Sequence, residues 1–189
     1  MVKKEIRKEY SKKRLELPGR EFDDMSAAML EHFRSMHLQG VQILLSYYPM
    51  ADRKEFNVAL CEQLHLLNNP SAQIAWPKLE EDMVTMQAVA VNTETVLVKN
   101  RFDIFEPSGK DVVPPQLIDA VFVPLLAFDV KGYRVGYGKG FYDRYLARCA
   151  QDVVKIGFSF FEALESIDDI NEFDVPLNYC ITPARVYEF

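Results

Sequence analysis

The stretch Arg134-Val135-Gly136-Tyr137-Gly138-Lys139-Gly140-Phe141-Tyr142-Asp143-Arg144 constrains the fold of this chain more than any other. An apolar run, 120–126, precedes it, and behind it Tyr142, Tyr145 and Leu146 recur at helical spacing. Glycines between such segments predict a strand-to-helix turn, because glycine adopts positive φ and lets a second backbone or a ligand come close. A helix behind that turn aims its free N–H groups and positive dipole end at the loop, which favours phosphate. As a bare pattern Gly-x-Gly-x-Gly reads equally as a plain tight turn. Arg134 and Lys139 within it shift the reading towards a phosphate site. The spacing is that of neither a P-loop nor a dinucleotide fingerprint.

The rest of the pattern predicts a layered α/β domain. Residues 41–48 read as a buried strand ended by Pro49. Residues 55–67 read as a helix with Phe56, Val58, Leu60, Cys61, Leu64 and Leu67 inward and His65 on its polar side. Residues 73–76 read as the next strand, stopped by Pro77. A strand–helix–strand unit implies parallel pairing. Segments 119–126, 153–159 and 179–182 supply further strands, the last of them closing the set, and 83–98 supplies an antiparallel edge piece. Helices are expected over 2–16 and 22–37, from the glycine turn to about Cys149, and briefly over 160–164. In the first, Ile6 and Tyr10 face a core and Lys3 and Arg7 share one face. His32 and His37 are read as surface residues, and Asp129 as the cap of a turn at Lys131-Gly132. The expected architecture is one domain, 1–189, in three layers: a mostly parallel central sheet with helices on both faces, Rossmann-like but without the dinucleotide motif.

Charge narrows the partners. The chain carries −6 overall, yet residues 1–20 hold eight Lys/Arg against three Asp/Glu, so the remainder carries −11. An acidic chain is a poor general nucleic-acid binder. No apolar run reaches the roughly 20 residues of a membrane span, and the charged start does not read as a signal peptide. Cys61, Cys149 and Cys180 are odd in number and far apart, which predicts reduced thiols and a cytoplasmic location.

Residues 124–146, with Pro124, Phe128-Asp129, Gly132, Arg134, the glycine run and Tyr142-Asp143, resemble the signature of the 5-formyltetrahydrofolate cyclo-ligase family, with Val135 for the usual leucine. Lys3-x-x-Ile6-Arg7 resembles the family's opening Lys-x-x-Leu-Arg. Glu55-Phe56-Asn57-Val58 stands where the family has Glu-Ile/Val-Asp/Glu-Thr and keeps only its glutamate. Residues 102–107 resemble its Phe-Gly-Ile-x-Glu-Pro loop, with Asp103 in place of glycine; Phe102 there reads either as a ring for a pterin to stack on or as a loop anchor. Asp174 matches the aspartate of a C-terminal His-Asp pair whose histidine is Phe173 here.

The resemblance implies ATP-dependent closure of 5-formyltetrahydrofolate to 5,10-methenyltetrahydrofolate with Mg²⁺, by a monomer acting on small molecules. It implies Lys139 and Arg134 as catalytic cations. Nucleotide contacts would come from Lys3, Arg7, Arg134, Val135, Gly136, Tyr137, Gly138, Lys139, Gly140, Phe141 and Tyr142. Folate contacts would come from Tyr48, Glu55, Tyr137, Gly138, Lys139, Gly140 and Phe141, and metal ligation from Asp143 and Asp174. From spacing alone, Lys3 and Arg7 read as a solvated helix face, Glu55 as a helix-start acid, and Asp143 as a helix-start acid or a partner of Arg144. Lys78 is open to a ligand anion or to solvent. The rival reading is a nucleotide- or folate-binding module of the same fold without turnover.

Overall fold

A computed structural model describes residues 1–36 and 38–189; the expectation for His37 lies outside the described residues. The chain runs α1 (Lys3–Glu16), α2 (Gly19–Ser35), β1 (Ile43–Leu45), α3 (Ala59–Asn68), β2 (Gln73–Leu79), β3 (Met86–Val91), β4 (Leu97–Lys99), β5 (Phe105–Pro107), β6 (Val112–Val113), β7 (Ala120–Val123), β8 (Ala127–Phe128), β9 (Arg134–Val135), α4 (Phe141–Leu146), β10 (Val154–Phe158), β11 (Tyr179–Ile181) and β12 (Val186–Glu188). Short 3₁₀ turns occupy Ala51–Arg53 and Pro115–Leu117.

Eight strands form one sheet in the order β12-β11-β10-β7-β1-β2-β3-β6. The five from β11 to β2 are parallel, and β12, β3 and β6 add antiparallel margins. Period-two alternation divides the side chains between two cores. Leu44, Phe122, Ile156 and Ile181 pack with Met29 and Phe33 of α2 and Cys61 of α3. Leu45, Val121, Val123 and Cys180 face the other way, onto Tyr145 and Leu146 of α4. Helices therefore cover both faces, as the strand pattern predicts. Helix α1 lies apart: Ile6 and Tyr10 pack on Leu126, Ala127 and Val135 of the small β8–β9 ribbon, beyond the carboxyl end of β7.

Several boundaries differ from the sequence reading. Strand β2 continues through Pro77, because β1 pairs only as far as Ala75 and the missing proline N–H leaves no ladder bond unmade on that side. Helix α3 starts at Ala59, where Asn57 Oδ1 accepts the Ala59 N–H at 3.2 Å. Its phase turns Cys61, Glu62 and His65 inward, while Leu60 and Leu67 are exposed; His65 is thus a buried residue. The 83–98 segment splits into an interior strand, β3, and the separate β4, and β6 takes the edge. Residues 160–164 are not helical: Leu164 bridges Asp129, whose Oδ1 caps the Lys131 and Tyr133 N–H groups at 3.0 Å. A further strand, β12, follows β11. The cysteines are free, with Cys61 and Cys180 buried. No helix among the described residues is long and apolar enough to cross a membrane.

Phe122, with no exposed surface, sits edge-on to Phe33 and Phe158 at the centre of the larger core. Phe122→Ala is expected to cost about 3–5 kcal/mol, read as a lowered denaturant midpoint at unchanged m-value.

Candidate active site

A cavity of about 650 Å³ opens beyond the carboxyl ends of β1, β2 and β7, where ligands bind in open α/β sheets. Every site residue expected from the sequence lines it: Lys3, Arg7, Tyr48, Glu55, the whole bend from Arg134 to Asp143, and Asp174. Lys78 does not line it; its Nζ donates to the Gly109 carbonyl at 3.0 Å and ties β2 to a neighbouring loop.

The first helix and the glycine bend meet at one wall. Arg7 Nε donates to the Gly136 carbonyl at 2.9 Å. Gly138 has φ +87°, and a Cβ there would lie 2.9 Å from the Arg7 guanidinium carbon, so only glycine fits both demands. Gly140, at φ +66°, precedes α4. That helix has six residues and stops well short of Cys149, so the cations of the bend carry more of any anion affinity than its dipole does. Lys139 is exposed, with Nζ 5.1 Å above the Phe102 ring. Among the described residues, Arg7, Arg53 and Lys139 line the cavity with no carboxylate within ion-pair distance.

The opposite corner is a closed hydrogen-bond network. The Tyr137 hydroxyl donates to Glu55 Oε1 and accepts from Arg14 Nη2, both at 2.5 Å. Glu55 Oε2 accepts the Met50 N–H at 2.7 Å. Burial raises the Glu55 carboxyl above the ordinary glutamate range, against the opposing Met50 and Tyr137 hydrogen bonds and the Arg14 and Arg53 charges. Burial also pushes the Tyr47, Tyr137 and Tyr142 phenols up, so all three remain protonated donors. Among the described residues, none partners the buried Tyr142 hydroxyl.

A hairpin of β4 and β5 forms a third wall. Phe102, Ile104 and Phe105 line the cavity, and Phe105 and Trp76 flank Tyr48 at ring separations of 5.2 and 5.6 Å. Asn100 Nδ2 donates to Glu106 Oε1 at 2.7 Å and holds the hairpin to the Leu79 N–H on the same oxygen. Asp103 has φ +59°, so it takes up the left-handed backbone that glycine would supply.

Both expected metal ligands stand beside the bend, each with a cation. Asp143 accepts from Arg134 Nη2 at 2.9 Å, and Asp174 from Lys3 Nζ at 2.5 Å. The Val175 N–H donates to Asp143 Oδ1 at 3.2 Å, which sets the two acids side by side. No group of three or more His, Cys, Asp or Glu able to hold an ion occurs among the described residues. Two carboxylates suit an ion that takes its other ligands from phosphate and water, as Mg²⁺ does. Arg134 lines the cavity with its side chain nearly buried, its guanidinium engaged by Asp143 and the Val175 carbonyl.

Sequence reasoning missed Arg14, Tyr47, Arg53, Asn100 and Glu106. Two left a signal: Arg14 follows Arg7 by seven residues, two helical turns along the same face, and Glu106 is the glutamate of the 102–107 resemblance. Arg53 and Asn100 sit on loops whose course the pattern does not encode.

Residues 1–183 match the model of the 5-formyltetrahydrofolate cyclo-ligase family. The chain is 36% identical over 99 residues to the 5-formyltetrahydrofolate cyclo-ligase of Escherichia coli strain K12, 51% of this chain and 54% of that protein. That aligned segment thus spans about half the length of the relative. A cyclo-ligase of Haemophilus influenzae is 27% identical over 181 residues, 93% of this chain and 94% of the relative. The structure of Aquifex aeolicus 5,10-methenyltetrahydrofolate synthetase superposes with a TM-score of 0.81 at 27% identity, covering 100% of this chain and 93% of that one.

Gly138→Ala is expected to lose more stability than the about 1–2 kcal/mol of a left-handed backbone alone, because Arg7 must also move. In an Arg7→Ala background only the backbone part should remain. Equal losses in both backgrounds, read from denaturant midpoints, would show that Arg7 does not pack there.

Proposed function

Because the chain belongs to the 5-formyltetrahydrofolate cyclo-ligase family, we propose that it is an ATP-dependent enzyme that closes 5-formyltetrahydrofolate to 5,10-methenyltetrahydrofolate, releasing ADP and phosphate. It acts as a single-domain cytoplasmic monomer on small molecules, with no nucleic-acid or membrane partner. The observation that carries this reading is the meeting of Lys3 and Arg7 with the glycine bend around one cavity, which also holds cations free of carboxylate partners.

The formyl oxygen is a poor leaving group. Transfer of the γ-phosphoryl makes an O–P bond to that oxygen and breaks the bond to ADP. The N10 lone pair then attacks the formyl carbon, phosphate leaves with the oxygen, and the N10 proton passes to solvent. Catalysis here is a matter of placement and charge. Lys3, Arg7 and the backbone from Arg134 to Tyr142 hold the nucleotide. Lys139, exposed at the mouth, neutralises the moving phosphoryl group together with the N–H groups around Gly138 and Gly140. Glu55, Tyr48, Tyr137 and Phe141 bind the folate, with Phe102 offering a ring face to the pterin. Asp143 and Asp174 would hold Mg²⁺, which when bound neutralises phosphate oxygens. Arg134, paired with Asp143, adds a second cation beside the transferring group.

Mixing the protein with Mg-ATP and 5-formyltetrahydrofolate should give the absorbance of the methenyl product; ATP binding without product at high enzyme concentration would favour the binding module instead. Lys139→Ala should lower kcat by about 10²–10³-fold at unchanged unfolding midpoint, and unchanged turnover would remove its role. Asp174→Ala should raise the Mg²⁺ needed for half-maximal rate more than the folate KM; a collapse of folate binding would overturn the metal assignment.

A further inference from the structure

Arg14 stands out among the residues that the function above does not use. It lies near the end of α1 yet is 5% exposed, unusual for an arginine on a surface helix. Its guanidinium reaches three separate segments: Nε donates to the Arg53 carbonyl at 2.8 Å, Nη1 to the Leu125 carbonyl at 3.2 Å, and Nη2 to the Tyr137 hydroxyl at 2.5 Å. Those acceptors belong to the turn before Glu55, the end of β7 and the glycine bend.

The contact with Tyr137 has a direction. A guanidinium only donates, so the phenol oxygen must accept from it, and its single proton is then aimed at Glu55 Oε1. Arg14 thereby fixes the donor sense of Tyr137 without touching the carboxylate. The same helix carries Lys3 and Arg7 on the nucleotide side of the cavity.

We propose that Arg14 is a positioning residue: through Tyr137 it orients the Glu55 carboxylate that receives folate, and it locks that corner to the helix bearing the phosphate-binding cations. The proposal rests on the reading of Glu55 as a folate ligand. Lysine could satisfy one of the three acceptors but not all, since it lacks the planar fork.

The groups facing Glu55 are the Tyr137 phenol, the Met50 N–H, the guanidiniums of Arg14 and Arg53, and the phenols of Tyr47 and Tyr142. Removing Arg14 takes away one of the two opposing positive charges, so Glu55 should titrate at higher pH. The acid limb of kcat/KM for 5-formyltetrahydrofolate should move up with it.

The test compares wild type with Arg14→Gln, Arg14→Lys, Tyr137→Phe and the Arg14→Gln/Tyr137→Phe double variant. The ¹³C carboxylate resonance of Glu55, assigned by its loss in Glu55→Gln, should titrate at higher pH in Arg14→Gln. The KM for 5-formyltetrahydrofolate should rise about tenfold, more than the KM for ATP, with partial recovery in Arg14→Lys. The double variant should be no worse than the poorer single one, because both act through one contact. An unmoved Glu55 titration in folded Arg14→Gln overturns the proposal, as does a rise confined to the ATP KM. If Arg14→Gln does not fold, Arg14→Lys, which keeps the charge but not the planar fork, carries the KM readout, and a folate KM equal to that of wild type overturns the proposal. If wild type makes no methenyl product, the folate reading falls by itself, and the non-additivity of the Glu55 titration shifts in the single and double variants still decides whether Arg14 acts on Glu55 through Tyr137.

Discussion

The guanidinium of Arg7 lies flat against a residue that has no side chain, and the site depends on that contact. Arg7 reaches the Gly136 carbonyl, and the space it fills is the space a Cβ on Gly138 would occupy. The energy that brings α1 there comes from elsewhere, chiefly Ile6 and Tyr10 buried on the β8–β9 ribbon. Burying such side chains is worth roughly 1.5–3 kcal/mol apiece, more than a partly exposed hydrogen bond returns. The apolar face of the helix thus supplies affinity for the ribbon, and the polar face sets position.

Once docked, the helix organises charge on both sides of the cavity. At one end Lys3 meets Asp174, which lies beside the Arg134–Asp143 pair. At the other Arg14 enters the network of Tyr137 and Glu55. Between them Arg7 remains without a carboxylate. A buried pair gives little net stability, because the attraction of its charges is offset by their loss of water. The value of these pairs lies in fixed geometry: carboxylates and cations stand ready at set distances around the cavity.

Much of this was legible in the residues. The apolar runs in 119–126 and 153–159 encode strands buried on both faces, and these became β7 and β10 at the middle of the sheet. The glycines 136, 138 and 140 marked one half of a wall, and the resemblance of Lys3-x-x-Ile6-Arg7 to the family's opening motif, not its spacing, marked the other. What escaped reading was set by partners rather than by local pattern. Strand β2 passes through Pro77 because its neighbour ends first. The short strands β6 and β12 exist only by pairing with β3 and β11. His65 is buried because the phase of α3 is fixed by Cys61 and Glu62, not by the hydrophobicity of each residue. Arg14 hid in a run of basic residues, and only the fold shows that it alone of that run points inward.

The backbone at Asp103 has one more consequence. The resemblance leads one to expect glycine there, and the exchange looks like a lost motif. Yet the turn asks only for the sign of φ, and aspartate meets that demand with its carboxylate in solvent, 3.7 Å from Lys99. The hairpin's shape is thus carried by the sign of one backbone angle, and Asp103 supplies it while adding a solvated negative charge at the rim of the cavity wall.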